Sequence, residues 1–233
     1  MRTQHGMALL GAGALVLSAA CEPAAGNAAL ETDEQKASYA IGRDVGGSLR
    51  PAGDRLDLDA FRRGLEDVLE ERESAIPEDE TAAVLERFSQ SIREDEETRR
   101  AETAEKNRSE GATYLAENGQ KQGVQTTASG LQYEVLTPGT GAQPGADDQV
   151  TIHYRGTLVD GTEFDSSYER GEPATFPVTG VIPGFSEGLQ LMTVGSKYRF
   201  VIPGELAYGP AGTQGVIGPD ATLIFEVELL EIQ

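Results

Sequence analysis

Tryptophan is absent from the 233 residues of this chain, cysteine occurs once and histidine twice, and each shortage closes off a class of chemistry. A single cysteine cannot build an internal disulfide framework. His5 lies in a leader-like start, and His153 precedes Tyr154 in an alternating run where adjacent side chains face opposite ways. No nucleophile triad is therefore expected around Ser166 and Ser167, and no cluster of Cys or His suggests a metal. Cations are scarce as well: 19 Lys and Arg against 39 Asp and Glu leave a formal charge of −20, which repels phosphate backbones and argues against a nucleic-acid partner. The glycine-rich loop from Gly209 to Gly218 contains no lysine, so it reads as the mobile rim of a pocket rather than a phosphate cradle.

What is present begins with an address. Arg2 precedes small and apolar residues from Gly6 to Ala20, a run too short to cross a bilayer but suited to a signal peptide over residues 1–20. The segment Leu17-Ser18-Ala19-Ala20-Cys21 resembles a bacterial lipobox, although the leucine stands four residues before the cysteine instead of three. That resemblance implies acylation of Cys21 and a lipid anchor in the periplasm or at the outer membrane. The alternative is ordinary cleavage at Ala20 or near Ala28, which releases a soluble exported protein. Residues 21–30 read as a tether of small residues.

Beyond the tether the period is helical. Ala37, Ile41, Val45 and Leu49 recur every four residues, and Leu58, Phe61, Leu65 and Val68 every three or four. The turn Pro51-Ala52-Gly53-Asp54 separates these helices, and Asp57 is placed to cap the second. A third helix should begin near Pro77, with Glu78, Asp79 and Glu80 at the positive end of its dipole and Val84, Leu85, Phe88 and Ile92 as its apolar positions. From Arg93 to Arg108 no face is apolar, so the sequence predicts a solvated stalk over 93–125, supported by Glu96–Arg100 and Glu102–Lys106 pairs; a disordered acidic linker is the alternative. The short helices of residues 31–92 offer so little core that a homodimer through them is expected, against the alternative of a self-sufficient helical domain.

After Gly123 the period becomes two: Leu131, Tyr133 and Val135 alternate, then Val150, Ile152 and Tyr154, with a hairpin at Asp160-Gly161. Runs at 197–202 and 222–232 also read as strands, and Phe185 to Met192 has helical spacing over about two turns. The fold class is α+β: a curled antiparallel sheet around a short helix, preceded by a helical domain and a long stalk helix.

Five segments then occur in order: Val150-Thr151-Ile152-His153-Tyr154-Arg155-Gly156; Gly161-Thr162-Glu163-Phe164-Asp165-Ser166-Ser167; Val181-Ile182-Pro183-Gly184-Phe185; Ala207-Tyr208-Gly209; and Ile217-Gly218-Pro219-Asp220-Ala221-Thr222-Leu223-Ile224-Phe225. Together they resemble the successive signatures of FKBP-type peptidyl-prolyl isomerases over about residues 126–233. Lys36-Ala37-Ser38-Tyr39-Ala40-Ile41-Gly42 resembles the amino-terminal domain of macrophage infectivity potentiator-like and FkpA-like members.

The resemblance implies a cofactor-free isomerase acting on proline-containing unfolded or partly folded chains. It implies a proline pocket lined by Tyr154, Phe164, Phe176, Val181, Ile182, Phe185, Tyr208, Ile217 and Phe225, with Phe185 as its floor. Tyr208 would donate its hydroxyl and Ile182 its backbone N–H to substrate carbonyls, Asp165 would stand beside Tyr154 and Arg170 as an orienting carboxylate, and Arg170 would itself belong to the substrate-binding residues. Tyr154, Asp165, Tyr208 and Phe225 form the expected catalytic set. Taken singly, such aromatics in a strand are core residues. Macrolides become possible inhibitors, although Phe185 replaces a frequent tryptophan, the loop at Thr213 and Gln214 lacks a frequent histidine, and Gly218 stands where proline is common and should loosen the rim. A dimeric holdase with incidental isomerase activity is the alternative function.

Overall fold

The computed structural model describes residues 29–233, so Cys21 and the signal segment lie outside the described residues. The chain divides into two compact units, one ending at Ala75 and the other running from Ile76 to Gln233. In the first, helix α1 (Asp33–Ser48) opens on a capping box, in which Thr32 accepts from the Gln35 N–H and the Gln35 side chain accepts from the Thr32 N–H. A 3-10 turn over Arg50–Arg55 leads to α2 (Leu58–Leu69), capped by Asp57 through the N–H groups of Asp59 and Ala60. The expected apolar stripes are in place, but Tyr39, Ile41, Val45, Leu58, Phe61, Leu65 and Val68 are all exposed.

The second unit begins with α3 (Glu78–Asn118), a single helix of 41 residues whose first turn carries Glu78, Asp79 and Glu80. Where the sequence suggests a boundary at residue 92 followed by a solvated stalk, the helix runs straight through, and its second half is packed. Ala104, Gly111 and Asn118 are buried. Arg100 donates to the carbonyl oxygens of Pro210 and Ala211 instead of pairing with Glu96, and Lys106 faces Glu110 at 3.8 Å. These contacts escape a search for apolar periodicity because polar and small residues make them, those of Arg100 against backbone carbonyls.

A seven-stranded antiparallel sheet follows: β1 (Val124–Thr126), β2 (Gln132–Thr137), β3 (Gln149–Leu158), β4 (Glu163–Ser166), β5 (Ala174–Pro177), β6 (Lys197–Ile202) and β7 (Leu223–Ile232). The order is β1-β2-β6-β7-β3-β4, with β5 also paired to β3, along Gln149–Ile152. One turn, α4 (Ser167–Arg170), follows β4, and α5 (Pro183–Leu189) lies against the concave face. Alternation decides the faces: Val150, Ile152 and Tyr154 of β3 and Leu223, Phe225, Val227 and Leu229 of β7 point inward, where they meet Leu189, Met192 and Phe200. Burying each large apolar side chain contributes about 1.5–3 kcal/mol, and this core holds the curl that shapes the pocket.

Candidate active site

The concave face opens into a cavity of about 640 Å³ lined by Tyr154, Phe164, Asp165, Phe176, Gly180, Val181, Ile182, Phe185, Tyr208, Ile217 and Phe225. Separate elements supply the rings: β3 Tyr154, β4 Phe164, β5 Phe176, α5 Phe185 and β7 Phe225. They meet edge to face, Phe185 against Phe225 at 4.8 Å and 63°, Phe164 against Phe225 at 5.4 Å and 81°, and Tyr154 against Phe176 at 5.9 Å and 63°. This is the arrangement that the ring quadrupole favours. Strand register decides the meeting, because β3 and β7 set Gly156 opposite Phe225. A Cβ at Gly156 would lie 2.6 Å from the Phe164 ring and 2.9 Å from Phe225, so only glycine leaves room for both.

One wall is polar. The Tyr154 hydroxyl donates to Asp165 Oδ2, while Arg170 donates from Nη1 to Asp165 Oδ1 at 2.5 Å and from Nη2 to the Tyr154 oxygen at 2.9 Å. Burial pushes the Tyr154 phenol above its ordinary pKa, and the bond to Asp165 pushes it further. For Asp165 burial acts upward, but the hydrogen bonds from Tyr154 and Arg170 outweigh it and hold the carboxyl below its usual range. At neutral pH the phenol is therefore protonated and the carboxylate ionised. Arg170, expected to bind substrate, is not on the cavity wall; it reaches the site only through Tyr154 and Asp165. Gly180 is on the wall, and no side-chain pattern in the sequence could have marked it.

Two further findings differ from the sequence-based expectation. Ser167 does meet a histidine, its Oγ lying 3.0 Å from His153 Nδ1. Ser167 is fully buried, however, and its Oγ also accepts from the Tyr154 N–H at 2.8 Å and lies 3.2 Å from the Tyr154 carbonyl oxygen. The hydroxyl clamps β3 and is closed to substrate. Gly218 also lies close against α3, a contact the sequence did not indicate, since a Cβ there would lie 3.0 Å from Asn107 Nδ2 and 3.3 Å from Thr103 Cγ2.

Comparison with known proteins agrees with this geometry. A family model described as FKBP-type peptidyl-prolyl cis-trans isomerase matches residues 141–230, and one described as the domain amino terminal to that isomerase matches residues 34–135. The chain belongs to the FKBP-type peptidyl-prolyl cis-trans isomerase family and is an enzyme of that class. It is 48% identical over 203 residues to the FKBP-type 22 kDa peptidyl-prolyl cis-trans isomerase of Escherichia coli K12, covering 87% of this chain and 97% of that protein. It is 40% identical over 204 residues to outer membrane protein MIP of Legionella longbeachae, covering 88% of each. The crystal structure of FkpA from Escherichia coli superposes with a TM-score of 0.67 at 37% identity, covering 88% of this chain and 99% of that one.

Proposed function

We propose that the aromatic cavity receives the proline ring of an exported polypeptide and eases its imide through the perpendicular geometry. The observation that carries this reading is the convergence of five rings from five elements beside the Tyr154–Asp165–Arg170 group. The planar peptide bond faces a rotation barrier of about 18–20 kcal/mol because resonance holds it flat. Planarity also separates charge, so a dry apolar bowl disfavours the planar ground state relative to the twisted transition state. A ten-thousandfold acceleration corresponds to about 5.5 kcal/mol, whereas one neutral hydrogen bond contributes about 0.5–1.5 kcal/mol net. The bowl and its donors must therefore act together.

In this reading Phe185 is the floor, and Tyr154, Phe164, Phe176, Val181, Ile217 and Phe225 wall the ring. Tyr208 donates its hydroxyl and Ile182 its backbone N–H to the substrate carbonyls. Rotation transfers no proton, so Asp165 acts as an orienting charge that fixes the Tyr154 ring, with Arg170 behind it. Macrolides would compete for the same bowl. The family assignment favours catalysis over a holdase role.

The test is the refolding of a protein limited by X-Pro isomerisation, with this chain substoichiometric. Asp165→Ala combined with Tyr208→Phe is expected to abolish most of the acceleration, and a macrolide to inhibit the wild type. Unchanged acceleration by the double variant overturns the site assignment.

The exposed apolar stripes of α1 and α2 support a homodimer through the helical region. Sedimentation of the mature protein beside a fragment from residue 126 checks it, and equal monomeric behaviour refutes it. The leader-like start and the similarity to a protein named for the outer membrane support export and a lipid on Cys21. Mass spectrometry of the native amino terminus decides between acylated Cys21 and a cleaved soluble form.

A further inference from the structure

The pocket rim from Tyr208 to Asp220 is held from outside the bowl by a single helix. Arg100 Nη2 donates to the carbonyl oxygens of Pro210 at 3.0 Å and Ala211 at 2.7 Å, just beyond Tyr208. Asn107 Nδ2 donates to the Pro219 carbonyl at 2.7 Å, and Arg108 Nη1 to Asp220 Oδ2 at 2.5 Å, just beyond Ile217. Asn107 and Arg108 follow Arg100 by seven and eight residues, about two helical turns, so all three fall on one side of α3. The grip therefore closes on both ends of the segment that carries Tyr208 and Ile217 into the cavity. Inside the loop, the Asp220 N–H donates to the Gly209 carbonyl at 2.8 Å and the Thr213 N–H to the Ile217 carbonyl at 2.8 Å. Gly218 lets the helix approach.

Tyr208 needs such support. Its side chain is 42% exposed, so core packing does little to hold it. The loop it begins has glycines at positive φ, Gly209 at 55° and Gly212 at 60°, which widen the backbone's conformational choice. A hydroxyl that meets a substrate carbonyl only in the twisted geometry must be in place beforehand, and a misplacement of about 1 Å can cost about a hundredfold.

We infer that Arg100, seconded by Asn107, is a positioning residue of the isomerase: α3 sets the rim loop so that Tyr208 is aimed for the transition state. This rests on the reading of Tyr208 as a substrate donor and makes α3 part of the catalytic apparatus as well as a connector. The contacts reach backbone carbonyls, so the effect is expected to pass through loop geometry and not through charge at the substrate.

The full-length protein, Arg100→Ala, Tyr208→Phe and the double variant are compared on a short X-Pro peptide, with kcat, KM and melting temperature measured for each. Because Arg100 acts through Tyr208, Arg100→Ala is expected to lower kcat/KM about fivefold, mostly in kcat, and less than about twofold in the Tyr208→Phe background. Alanine at an exposed helix position preserves the fold, so the melting temperature should stay within about 2 °C. The inference is overturned by a loss below twofold in the wild-type background, by equal losses in both backgrounds, or by a loss that tracks a fall in melting temperature. The Tyr208→Phe variant by itself judges the site reading: wild-type kinetics there remove Tyr208 as donor, whereas equal losses on Arg100→Ala in both backgrounds remove only the positioning role.

Discussion

Gly156→Ala adds one methyl group at the meeting point of two pocket rings, and the structure sets the size of the clash. The new Cβ would lie 2.6 Å from Cε2 and Cζ of Phe164 and 2.9 Å from Cε1 of Phe225. Carbon atoms pack at about 3.5–4.0 Å, so each ring must retreat by roughly 0.6–1.4 Å. Phe225 yields less than Phe164, since it is buried with Phe185 at 4.8 Å on one side and Tyr154 at 6.4 Å on another. Phe164 is only partly buried and would swing into the cavity. Overpacking of this kind costs about 1–3 kcal/mol, a fall in melting temperature of about 2–12 °C for a chain of this length. With a wall ring displaced by about 1 Å, kcat/KM should fall at least about tenfold. Gly161→Ala in the same hairpin is the control. A Cβ there has nothing within 4 Å, but the residue sits at φ 88°, where a side chain is strained. It should lose about 1–2 kcal/mol of stability and keep kcat/KM within about twofold at 25 °C. Wild-type kinetics for Gly156→Ala, or matching kinetic losses for the two variants, would refute the steric account of the pocket.

The activity should be flat between about pH 5 and pH 8, because the reaction moves no proton and Asp165 stays ionised there. Its carboxyl is held below the usual 3.8 by bonds that outweigh burial, so the stabilisation is complete above that value and is lost only as pH falls through the lower folded value. A titration of kcat/KM near neutrality would contradict this, and Asp165→Asn should remove the acid limb. Gln132→Leu should lower stability by about 1–3 kcal/mol, because the buried Gln132 side chain accepts from Asn118 at 2.9 Å and donates to the Leu115 carbonyl at 2.8 Å where α3 ends against β2. Denaturant unfolding of Gln132→Leu alone and with Asn118→Leu measures it, and a single variant as stable as the wild type would show that this junction carries no load.

Much of the architecture was legible because its causes are local. The cap at Asp57, the acidic turn after Pro77, the alternation in 150–154 and the hairpin at Asp160-Gly161 each reflect a few neighbouring residues, and the structure has them where the sequence puts them. The ring set was legible through the order of its motifs, although composition alone assigns those rings to core. The behaviour of α3 was not legible, since a helix that grips carbonyl oxygens with Arg100 and Asn107 has the same charged pattern as one in water.

The amino-acid sequence by itself determined which segments coil, which extend, and which faces are apolar, because period, caps and turns act over a few residues. Only the tertiary structure decided that Arg170 stands behind the wall, that Ser167 is sealed under Tyr154, and that α3 holds the pocket rim. Those outcomes depend on strand register and on polar contacts across more than a hundred residues, from Arg100 to Ala211, and such contacts leave no periodic trace in the chain.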